Sequence, residues 1–60
     1  MTKADLRRSA QWLKIWAAAL RDAEVVDGKW PATEDGRVSR DEYDDMRRLA
    51  EALYAEARAR

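Results

Sequence analysis

The chain has no cysteine, no histidine and no phenylalanine, and only one proline and two glycines in 60 residues. Without cysteine no disulfide braces the fold, and the redox compartment leaves no trace in the composition. Without histidine or cysteine, the usual general bases, nucleophiles and transition-metal ligands are gone. No glycine-rich spacing of the GxGxxG or P-loop kind is present to cradle phosphate. No apolar run approaches the ~20 residues that span a bilayer. No charged start leads into an apolar stretch with a small-residue cleavage site. The expectation is a soluble, cytoplasmic protein with no cofactor and no metal, and not an enzyme.

Net charge is also lacking: twelve basic residues balance twelve acidic ones. That balance disfavours binding driven by phosphate neutralisation, which needs a clearly basic surface. The charges are unevenly placed, however. Residues 1–21 carry five bases against Asp5 alone, whereas 34–45 carry Glu34, Asp35, Asp41, Glu42, Asp44 and Asp45 against Arg37 and Arg40. Nine arginines to three lysines, with twelve alanines, is a bias compatible with a GC-rich bacterial or phage genome.

Sixty residues make one domain at most, and a chain this short buries only about 60% of its unfolded surface. Small folds compensate with disulfides, a metal or association. Association is the route this composition leaves open.

Two helices organise the chain. Thr2 and Asp5 have the spacing of an N-terminal capping arrangement, so the first helix is expected over 3–24. Leu6, Ala10, Leu13, Ala17 and Leu20 form one stripe, which Trp12, Ile15, Trp16, Ala19 and Ala23 extend sideways to an apolar arc of about 220°. A surface helix covering one neighbour needs roughly 100°, so one partner helix does not suffice. Lys3, Arg7, Lys14 and Arg21, with Gln11, line the opposite side.

The second helix is expected over 39–58. Ser39 and Glu42 match the Ser-x-x-Glu capping box, and Val38 and Tyr43 fall at the spacing of a hydrophobic staple. Acids at 41, 42, 44 and 45 suit the positive end of the helix dipole, and Arg58 and Arg60 suit the other end. Tyr43, Met46, Leu49, Ala50, Leu53, Tyr54 and Ala57 give an apolar arc of about 140°.

The same stretch, TEDGRVSRDEYDDM, resembles the second half of an EF-hand loop over about twelve residues. That resemblance implies Asp35 and Glu42 as calcium ligands, with Ser39 acting through water. Pro31 stands where the first carboxylate belongs, and the capped helix accounts for the same residues without a metal.

The connector, 25–38, holds two Asp-Gly pairs. VVDGKW could form a minimal hairpin, although a two-stranded hairpin alone is marginal; a loop folded over the helix ends is the expectation, with Trp30 as its plug.

The fold class expected is therefore all-α: an antiparallel helical hairpin that dimerises into a four-helix bundle. Trp12, Ile15, Trp16, Ala19 and Trp30 are the candidate dimer or partner interface. The functional reading is a small interaction protein, an inhibitor, adaptor or regulator that binds a larger protein. The alternative is a nucleic-acid regulator using Lys3, Arg7, Lys14 and Arg21.

Overall fold

A computed structural model describes all residues, 1–60, as two helices, α1 (Lys3–Glu24) and α2 (Glu34–Ala59), joined by residues 25–33. They run antiparallel as a rod of 41 × 15 × 15 Å. No helix is long and apolar enough to cross a membrane.

The first helix starts as its sequence indicates. Thr2 Oγ1 accepts from the Asp5 backbone N–H at 3.1 Å, and Asp5 Oδ2 accepts from the Thr2 N–H at 3.3 Å. These bonds, the Thr2 hydroxyl first and its backbone second, hold the Asp5 carboxyl below its ordinary value near 3.8.

The second helix begins five residues earlier than its strongest local signal. Thr33 is the N-cap, its Oγ1 accepting from the Gly36 N–H at 3.0 Å. Glu34 and Asp35 supply the first-turn acids. The expected start at 39 is thus corrected: Ser39 lies inside α2, half-buried, so the Ser39–Glu42 box and the Val38–Tyr43 staple do not begin a helix. The EF-hand resemblance also fails, because Asp35, Gly36 and Glu42 sit on continuous helix and cannot wrap a cation.

Gly36 explains the early start. It is buried in the first turn, directly against the backbone of Pro31. Glycine in a helix costs about 1 kcal/mol relative to alanine, but here it lets the connector lie flat on α2. Thr33→Ala is expected to cost about 1 kcal/mol, whereas Ser39→Ala should stay within about 0.5 kcal/mol. Thermal melts at one fixed protein concentration separate the two.

The connector contains a small piece of hairpin. Val26 and Lys29 exchange both backbone hydrogen bonds at 3.0 Å. Between them Asp27 and Gly28 both adopt positive φ, 54° and 75°, the requirement of a type I′ turn. This is a single bridge and no strands form. Trp30 then packs against Tyr43, ring centroids 5.4 Å apart and planes tilted by 52°, and is half-buried.

The helix seam has a seven-residue repeat. Leu6, Leu13 and Leu20 form one column of α1, and Ala10, Ala17 and Glu24 the other; in α2 the columns are Ser39, Met46 and Leu53, and Gly36, Tyr43, Ala50 and Ala57. All of these are buried or half-buried. Small residues let the helix backbones approach closely, and in consequence the buried core contains a single large side chain, Leu6.

Candidate functional site

The surface left by this packing is unusual. Trp12, Ile15 and Trp16 are 53%, 48% and 59% exposed, and Ala19 is exposed beside them. Trp12 and Trp16, one turn apart, lean together with centroids 6.4 Å apart and planes tilted by 52°. Tilted pairs of this kind are a preferred aromatic arrangement, so the two rings hold each other in place at the surface.

Helix α2 adds to the same edge. The opposite edge is marked by Lys14, whose Nζ lies 3.6 Å from Glu51 Oε1 and 5.6 Å from the Tyr54 ring centroid. Lys14 and its two partners lie to one side of their respective seams. At 100° per residue, Trp12 and Trp16 turn away from the α1 seam in the other sense, and Val38 and Leu49 do the same on α2. Both sets therefore share one edge of the hairpin, where Leu49 is 48% and Val38 51% exposed. The pairing of residue 14 with 51 fixes the antiparallel register, which brings Trp16 level with Leu49. Leu13, Leu20, Met46 and Leu53, all half-buried, floor the groove between them.

The other edge is polar and partly paired within the chain. Arg47 Nη1 donates to Tyr43 Oη at 2.8 Å, and its guanidinium lies 5.6 Å from that ring's centroid. Lys14 is engaged by Glu51 and Tyr54 instead of standing in an open row with Lys3, Arg7 and Arg21, which remain exposed. At the ends of the rod, Arg60 Nη1 donates to the Met1 carbonyl at 2.7 Å. Around the connector, Lys29, Trp30, Pro31, Arg37, Arg40 and Asp44 line a concavity of about 730 Å³. No three acidic side chains converge as a metal site would require.

Of the interface residues named from the sequence, the structure brings together Trp12, Ile15, Trp16 and Ala19 and sets Trp30 apart at the connector, against Tyr43. Sequence reading missed the contribution of Val38 and Leu49. For Leu49 the signal was present in the second helix's arc of about 140°, wider than the roughly 100° that one seam uses; Val38 was hidden because the helix was expected to start after it.

The chain matches no protein-family model, no curated protein and no solved structure.

Proposed function

We propose that this protein is a non-enzymatic interaction module whose working surface is the Trp12–Trp16–Leu49 edge. It docks helices onto that edge to complete a four-helix bundle, and the assembled bundle serves as an inhibitor, adaptor or regulator of a larger protein. The observation that carries this reading is the pair of adjacent tryptophans more than half exposed on a helix that already has a seam elsewhere. Exposed contiguous apolar patches on small proteins mark binding sites, and tryptophan dominates the energetics of such sites.

A photo-cross-linking residue placed at position 16 or 49 tests it in cells, with position 7 on the other side of α1 as the control. Strong adducts to protein from 16 and 49, and weak ones from 7, are expected. Equal yields from all three positions would overturn the reading.

A further inference from the structure

We infer that the occupant of this edge is a second copy of the chain, related by a two-fold axis so that the Trp12, Trp16 and Leu49 surfaces of both copies meet. The inference rests on reading the edge as a protein-binding surface, and it names the partner.

Surface area is the first support. The chain exposes 4649 Å², whereas a compact monomer of 7.0 kDa exposes about 4,040 Å². The excess is about 600 Å² per chain. Hiding it on two copies removes about 1,200 Å², where specific interfaces begin. The radius of gyration points the same way: 13.4 Å, against about 10.4 Å for a compact 60-residue domain. Two rods laid side by side become a thicker, more globular body of the same length.

Self-complementarity is the second. A two-fold interface presents one patch to itself, so a strongly charged patch of one sign would be repelled. This edge is apolar at its centre; of the charged residues beside it, Arg8 and Asp22 on α1 are opposite in sign, and on α2 Asp45 and Glu56 are paired with Arg48 and Arg60, which leaves Glu42 as the one of these α2 acids without an ion-pair partner. Its apolar centre lies at one height on the two helices, Trp16 level with Leu49. A second hairpin of equal length covers both helices, while a single helix from another protein fills only the groove between them. The modest interior is the third support, since a core with one large buried side chain is small for a domain expected to stand alone.

Sedimentation or light scattering of the purified chain, with thermal melts over a hundredfold dilution, tests the inference. A mass of twice 7.0 kDa and a midpoint that falls on dilution are expected. Trp16→Asp and Leu49→Asp, on different helices of the same edge, should each halve the mass at a concentration where the wild-type protein is fully paired; Arg7→Asp should not. The dilution melts use the unaltered chain, so they decide the matter even where an aspartate variant loses its helices. A fully helical wild-type chain of single mass with a dilution-independent midpoint would overturn the second copy as occupant. Cross-linking at 16 and 49 to a different protein would then still support the interaction reading.

Discussion

Replacing Gly36 with alanine is expected to lower the thermal midpoint, although alanine is the better helix former. On an open helix the change would stabilise by about 1 kcal/mol. At this position the added Cβ would lie 2.9 Å from the carbonyl carbon and Cβ of Pro31, and closer still to its carbonyl oxygen. Those are mostly backbone atoms, which cannot rotate aside. Overpacking of this kind costs typically about 1–3 kcal/mol, enough to reverse the propensity gain. In a chain of this size each kcal/mol moves the midpoint by about 4–8 °C. Trp30 precedes Pro31, so its contact with Tyr43 should loosen at the same time, visible as a change in tryptophan fluorescence. A midpoint that rises would show that the connector does not clasp α2.

Ala50→Leu is expected to be more damaging than its conservative chemistry suggests. Ala50 is fully buried, 0% exposed, while its neighbour Leu49 is 48% exposed. A leucine at 50 would enter the seam, where Ala50 is fully buried and α1 presents Ala10 and Ala17, and push the helices apart. The cost is about 1–3 kcal/mol where the backbone yields little, and the Lys14–Glu51 contact next to it should be lost. Denaturant unfolding reads the change in midpoint. The same substitution at the exposed Ala55 is the control and should stay within about 0.5 kcal/mol. Equal effects at 50 and 55 would show that the helices do not approach closely along the alanine column.

These two positions show where sequence reading stops. The limits of α1 were legible because everything that sets its start is local: the side chains of Thr2 and Asp5 each bond only to the other's backbone N–H. The start of α2 was not. Ser39 and Glu42 satisfy the same local pattern, and Gly36 reads as a helix breaker until Pro31 is found packed upon it. That contact depends on the path of the connector, which no window of a few residues reveals. Periodicity correctly left Trp12, Ile15 and Trp16 outside a two-helix seam, since a broad arc cannot face a single neighbour. It placed Leu49 and Ala50 on one arc without ordering them. The order follows from how closely the backbones approach, and there the small side chain takes the buried place. Lys14 was likewise assigned to a basic row by its angle alone; its partners, Glu51 and Tyr54, are neighbours only once the antiparallel register exists.

The seven-residue columns also set the twist of the molecule. A straight α-helix drifts by about 20° per heptad against a strict repeat of seven, and α2 keeps Gly36, Tyr43, Ala50 and Ala57 in one column across most of its 26 residues. Holding that column on α1 requires the pair to coil around each other with a left hand. The exposed edge is therefore a strip wound along a rod 41 Å long. A flat or oppositely wound surface would meet it near Trp16 and part from it towards both ends. Handedness thus screens what can lie along the whole strip, favouring surfaces that coil with the same sense and pitch.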